Sequence, residues 1–493
     1  MTKQTVVQKA PMGMLIILFI GAFVAFLNNT LLNIALPTIM KDFDISYSTV
    51  QWISTGYMLV SGILIPASAF FITRFKTRTL YITALSIFTV GTVLAAMSPN
   101  FGILLTGRMV QAAGASVMSP ILMNVLLKSF PIEKRGAAMG VFGLVMFVAP
   151  AIGPTLSGWI IQNHDWRMLF EMIVPFAVIS LLLSIWKLDN VLETRKVKLD
   201  YLSLVLSTVG FGGLLYGFST AGDKGWSSPL VYGMIAIGAV GVTLFILRQL
   251  RMKEPMLEMR VYKYPMFALG SAISMILSMA MFAGMILTPA YVQNVRGITP
   301  LDAGLMMLPG AVVMAIMSPI TGRMFDRFGP RILAVIGLLI TAGATFFLTQ
   351  LKVDSTYTYI IVVYTIRMFG MSLVMMPIMT NGLNQLPQRL NPHATAVNNT
   401  ASQVAGSIGT ALLVTIMNKH IATRATELAA AAKEKAMAAG TAMNADQVAA
   451  LKAQITQKAL LDGINYTFVV ATGITVLALV LSFFLSRGKR AED

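Results

Sequence analysis

Apolar runs long enough to cross a bilayer recur along the whole chain. A hydrocarbon core about 30 Å thick needs about 20 apolar residues in helical form, and such runs fall at 13–36, 49–71, 79–97, 102–126, 137–161, 167–186, 201–219, 229–247, 265–290, 301–323, 332–349, 357–379, 395–417 and 464–485. The pattern predicts fourteen transmembrane helices and an all-α polytopic membrane protein. The first run is too long, and has the wrong flanks, for a cleaved leader. Between the last two spans, residues 418–463 form an alanine-rich segment with interspersed Lys and Glu, a composition that favours helix. Gly440 and Asn444 are candidate break points of a hairpin there.

The basic residues set the orientation, because short cytoplasmic loops collect Lys and Arg. Arg74, Lys76, Arg78, Lys128, Lys134, Arg135, Arg195, Lys196, Lys198, Arg248, Arg251, Lys253, Arg260, Lys263, Arg327, Arg331, Arg487, Lys489 and Arg490 then share one side. An even number of spans returns the chain to its starting side, so both termini are expected in the cytoplasm. The loop 418–463 is expected outside.

An internal repeat divides the chain. Pro37 and Pro289 are 252 residues apart, Pro66 and Pro319 are 253 apart, and Arg108 and Arg367 are 259 apart. Spans one to four thus correspond to nine to twelve, an offset of eight helices. An even offset makes the halves parallel, as in transporters built from two six-helix bundles. The expected organisation is a six-helix bundle at 1–190, an inserted pair of spans at 191–263, and a second bundle at 264–493.

Composition narrows the function. Of 493 residues 56% are hydrophobic and 12% charged, which argues against a soluble enzyme, a nucleic-acid binder or a disordered scaffold. The net charge of +17 is scattered between apolar runs and forms no nucleic-acid-binding stripe. With no cysteine and three dispersed histidines, no metal site is expected. No GxxxxGK[ST] phosphate loop is present, so no nucleotide or other cofactor is expected and the energy source would be an ion gradient.

Four segments carry a resemblance. They are Leu27-Asn28-Asn29-Thr30-Leu31-Leu32-Asn33-Ile34-Ala35-Leu36-Pro37, Arg108-Met109-Val110-Gln111-Ala112-Ala113-Gly114, Ala149-Pro150-Ala151-Ile152-Gly153-Pro154-Thr155-Leu156-Ser157-Gly158-Trp159, and Gly322-Arg323-Met324-Phe325-Asp326-Arg327-Phe328-Gly329-Pro330-Arg331. In this order and on these spans they resemble the motifs of the major facilitator superfamily, and within it the fourteen-span drug/proton antiporters of the quaternary-ammonium-resistance type. The resemblance implies the major facilitator fold, alternating access, and a multi-pass location in a bacterial plasma or inner membrane. The partners it implies are protons, lipids and amphipathic small molecules, and a single chain with its own two bundles is expected to act as a monomer.

Candidate site residues follow. Charges within apolar spans usually face a cavity or a partner, which singles out Arg108 and Arg367. The resemblance implies a proton-coupling role for Arg108. Glu171 is the carboxylate that the span pattern places inside the membrane, so it is the candidate proton carrier. Related antiporters commonly carry an aspartate where this chain has Asn28, and asparagine does not ionise. Asn28, Asn29, Asn33, Tyr57, Gln111, Phe147, Met281, Met285, Arg367, Met371 and Met375 are expected to line the substrate cavity. Met371, Met375 and Met379 share one helical face, a spacing that suits packing as well as a pliable pocket. Gly153 and Pro154 are expected to form a hinge, and Asp326 with Arg327 and Arg331 a charged latch. The function these residues point to is a proton-coupled exporter of amphipathic small molecules or drugs. Two alternatives stay open: the same fold exporting a lipid, a glycolipid precursor or an anionic signalling metabolite, and a non-transporting membrane sensor or enzyme.

Overall fold

A computed structural model describes residues 12–45, 47–195, 197, 199–438 and 445–487, and these contain helices and no strand. The helices are α1 (Met12–Asp42), α2 (Trp52–Arg74), α3 (Thr77–Ala96), α4 (Phe101–Ser129), α5 (Arg135–Asn163), α6 (Ile173–Lys187), α7 (Tyr201–Lys224), α8 (Pro229–Arg251), α9 (Pro265–Ala290), α10 (Pro300–Phe328), α11 (Pro330–Phe347), α12 (Tyr357–Ser372), α13 (Asn391–Ala438) and α14 (Ala445–Ser482). Among the described residues, twelve candidate spans are long and apolar enough to cross a membrane, and α9 carries a shorter apolar stretch, Pro265–Met281. Hydrocarbon offers no partner for backbone N–H and C=O groups, so helices that satisfy their own are the stable form of such segments. Side chains such as Val240, Leu339 and Leu182 accordingly point outward, more than half exposed.

Local chemistry sets the helix ends. Asn100, Thr299 and Thr356 accept the backbone N–H of Ile103, Asp302 and Tyr359, respectively, satisfying donors that a helix start leaves free. Proline opens α8, α9, α10 and α11, where its missing N–H costs nothing. Gly329 turns α10 into α11 at φ 81°, a conformation that favours glycine.

Helices α1 to α6 pack on one another, as do α9 to α14. The two halves meet chiefly where α5 lies along α10 and where α2 lies along α13. Helices α7 and α8 form a hairpin, with Gly210 against Gly241 and Gly213 against Gly238 allowing the backbones to touch. The α7 flank covers the line where α2 meets α13. Leu215 fills the space beside Gly62, and the Trp226 indole donates to Thr415 Oγ1 at 2.6 Å.

The helix expected within 418–463 is present: residues 418–438 and 445–463 are helical, as continuations of α13 and α14 that project well past their apolar stretches, in keeping with alanine's preference for helix. The proposed break points Gly440 and Asn444 lie outside the described residues. The span expected at 357–379 is interrupted: α12 ends at Ser372 and a second helix runs from Met375 to Asn384. The methionine stripe therefore crosses a tightened turn, with Met371 buried and Met375 and Met379 half-buried against the core.

Candidate functional site

Arg108 organises the first half from within. Its side chain is 1% exposed, and its guanidinium lies 4.4 Å from the centre of the Tyr57 ring of α2. Nη1 donates to Gln111 Oε1 at 2.9 Å, and Gln111 Nε2 donates onward to Thr92 Oγ1 of α3 at 2.8 Å. Nη2 reaches Asn29 Oδ1 of α1 at 3.5 Å. Four helices thus converge on one cation, held by neutral oxygens and a ring face. They come this close because α3 and α4 cross at glycines: a Cβ on Gly107 would stand 2.8 Å from the Ala95 nitrogen.

Arg367 repeats the arrangement in the second half. It too is 1% exposed. Nη2 donates to the Ala280 carbonyl of α9 at 2.8 Å, and Nε to Thr345 Oγ1 of α11 at 3.3 Å. Gly284 makes room for the guanidinium, which any Cβ there would displace. Thr345 lies 253 residues after Thr92 and Ala280 lies 252 after Asn28, so the internal repeat extends to the arginines' surroundings. The halves differ in that Gln111 stands between arginine and threonine in the first and nothing does in the second.

A third group joins the halves on the face that carries the end of α14. Asp326, near the end of α10, accepts the backbone N–H of Gly136 at 3.0 Å and of Ala137 at 3.1 Å, at the start of α5. A helix start carries partial positive charge, so the carboxylate holds α5 electrostatically as well as by hydrogen bonds. Arg135, buried, donates to Asn384 Oδ1 of the second half at 3.3 Å while holding the carbonyls of Phe130 and Leu127. Ser318 Oγ of α10 donates to the Gly140 carbonyl at 2.8 Å. Gly136 and Gly322 face each other there, leaving no room for a Cβ on either.

This group corrects the expected latch. Asp326 pairs with neither Arg327 nor Arg331 among the described residues; it takes backbone donors across the interface. Arg327 lies over the Phe328 ring at 5.3 Å and Arg331 is exposed. Arg487 instead donates to the Asp326 carbonyl oxygen. Arg135, Ser318 and Asn384 were not singled out from the sequence. Arg135 offered one signal, since a cation at a helix start opposes the helix dipole and needs another reason to be there.

Glu171 is placed differently from its expected burial. It is exposed, in a single turn, Met168–Glu171, that precedes α6, and the contacts of Arg108 do not include it. Arg167, beside it, pairs with Asp42 at 3.1 Å and Asp165 at 3.3 Å. Asn28 is buried and its Nδ2 has no partner. Phe147 is buried and Met281 is half-buried. Gly153 backs onto Thr30 of α1, a close approach of two helices. The side chains of Asn33, Met285 and Pro154 lie outside the described residues. The structure therefore brings together Arg108, Tyr57, Gln111 and Asn29, and sets Arg367 and Asp326 in separate clusters.

Residues 18–410 match the family model of the Major Facilitator Superfamily. The chain is 48% identical to a Bacillus subtilis protein called uncharacterized MFS-type transporter YhcA, over 97% of this chain and 93% of that one. It is 41% identical to the lincomycin resistance protein LmrB of Listeria monocytogenes, over 97% of this chain and 98% of the relative. A crystal structure of the human organic anion transporter MFSD10 superposes with a TM-score of 0.66 at 12% identity, covering 96% of this chain and all of that one, a likeness of fold alone. The chain belongs to the Major Facilitator Superfamily: it is a multi-pass membrane transporter, not an enzyme.

Proposed function

We propose that this transporter exports amphipathic small molecules by alternating access, driven by inward proton movement across a bacterial cell membrane. In this reading all fourteen helices cross the bilayer and both termini are cytoplasmic, as the distribution of basic loops supports. The bundles are 1–190 and 264–493, with 191–263 inserted between them, and the chain acts as a monomer. The naming of a relative for lincomycin resistance supports export of a drug-like cargo.

The observation that carries the reading is the closure of the face bearing Asp326. Two halves joined there by Asp326 and the start of α5, and by Arg135 and Asn384, form a cytoplasmic gate in the closed position. An exporter must open this gate to load and close it to release. Protonation of Asp326 would remove the charge that holds α5, which links the gate to the proton gradient. Glu171, exposed on the opposite face, is the entry point for the external proton. Arg108 is the buried cation whose contacts with α1, α2 and α3 change as the halves rock.

Purified protein in liposomes loaded with a pH-sensitive dye tests this. Lincomycin and a panel of cationic, neutral and acidic amphiphiles would be added to wild type, Asp326→Asn and Glu171→Gln. Proton movement evoked by at least one compound, and reduced in both variants, is expected. An unchanged Glu171→Gln response removes that residue from the path, and absence of evoked flux with every compound overturns antiport.

A further inference from the structure

The buried charges of the described residues all have one sign. Arg108, Arg135 and Arg367 are buried, and no Asp or Glu is. Arg135 spends its guanidinium on two carbonyls and an amide oxygen. The other two cations are incompletely matched: Arg108 Nε and Arg367 Nη1 have no hydrogen-bond partner, and neither has Asn28 Nδ2, on the residue before Asn29. All three unpartnered atoms are donors. The acceptors the arginines do have are neutral oxygens, which hydrogen-bond a guanidinium without cancelling its charge, and an uncompensated buried charge is strongly disfavoured.

We infer that the transported molecule is an acidic amphiphile whose oxyanion, a carboxylate or a phosphate, pairs with Arg108 and the Asn28 amide, with Arg367 as the corresponding docking point of the second half. This rests on the transporter reading above and names its substrate class. The planar guanidinium fork matches the two oxygens of such a group. Asn28 donates to an anion where an aspartate would repel it. In the second half Met281 occupies the repeat position of Asn29, 252 residues on, and both are partly exposed. An apolar side chain at that position suits the greasy body of an amphiphile whose acidic head the donors of the first half hold.

A matched series isolates the charge: 1-naphthaleneacetic acid, its amide, and 2-(1-naphthyl)ethylamine, titrated calorimetrically against purified full-length protein in uncharged detergent at neutral pH. The acid is expected to bind at least about tenfold more tightly than the amide, and the amine more weakly than either. Arg108→Gln erases the preference and Arg108→Lys keeps part of it. Asn28→Asp, which supplies an internal carboxylate, weakens the acid about tenfold and strengthens the amine without lowering the melting temperature. That variant decides the matter even where Arg108→Gln fails to fold. Equal binding of acid and amide, an Asn28→Asp profile like wild type, or no binding by any of the three overturns the inference. Lincomycin-evoked proton flux without acid preference would keep the exporter and discard the acidic cargo. Acid binding without any evoked flux would keep the site and discard antiport.

Discussion

Asp326 and Gly136 meet across the interface of the two halves, a carboxylate oxygen 3.0 Å from a backbone nitrogen at the first turn of α5. Hydrogen bonds to a charged group contribute about 1.5–3 kcal/mol each, and asparagine keeps only one acceptor. Asp326→Asn is therefore expected to shift the population toward the open gate by about tenfold or more. Spin labels at Lys134 and Arg331, exposed on either side, would read this as a longer distance, and an unchanged distribution would disprove it.

Gly322 and Gly114 both sit against a neighbouring backbone but should fail differently. Alanine at Gly322 meets the Gly136 carbonyl in the other half, so it props the gate open and cuts transport with little loss of folding. Alanine at Gly114 meets the Phe88 nitrogen, 2.6 Å from the added carbon, inside one half. It is expected to cost about 1–3 kcal/mol of stability and leave the gate distance as it was. Melting temperature and label distance, measured on both variants, separate the two outcomes.

Arg135→Lys is expected to behave as a loss. A lysine ammonium is a single point and cannot serve the Asn384 amide and the carbonyls of Leu127 and Phe130 together as the guanidinium does. The chain has no native cysteine, so Thr321→Cys, at a buried hydroxyl without a partner, gives a clean accessibility probe. Alkylation there should accelerate several-fold in the Arg135→Lys background. An equal rate would show that the contact does not hold the gate.

Asp200 and Arg248 tie the start of α7 to the end of α8 through two hydrogen bonds of 2.7 and 2.9 Å. The guanidinium holds the Asp200 carboxyl down at about 2, below its ordinary value of 3.8. A depressed carboxylate contributes stability that is complete above its unfolded pKa and is lost as pH falls through the folded one. The pair is solvent-accessible, so the effect is small: Asp200→Asn should melt about 2 °C lower or less at pH 7. The gap should narrow from pH 4 toward pH 2. A gap that widens in acid would contradict the assignment.

What could be read in the chain follows from what each signal depends on. The apolar runs were legible because a bilayer imposes a length, and Arg108 and Arg367 because a cation among apolar residues stands out. Glu171 was misread because mean hydropathy reports only that a segment is apolar and not which face turns inward; the buried Ser180 and Ser184 mark that face, and Glu171 lies on the other side of the helix. The Asp326 contact was invisible because its partners are backbone nitrogens, which no side-chain motif encodes. Arg135 and Asn384 are 249 residues apart and meet only once the two halves are assembled.

The α7–α8 hairpin covers one of the two seams between the halves. Leu215 plugs the gap beside Gly62, Gly212 lies against Ile63, and Trp226 is bonded to Thr415. The flank where α2 meets α13 is thereby shuttered against lipid tails from both helices' sides. The opposite flank, α5 against α10, needs no separate cover: those two helices touch from Gly136 against Gly322 at one end to Gly158 against Leu301 at the other. One seam is thus sealed by its own helices and the other by a pair that neither half supplies, so loosening the hairpin would unseal only the second.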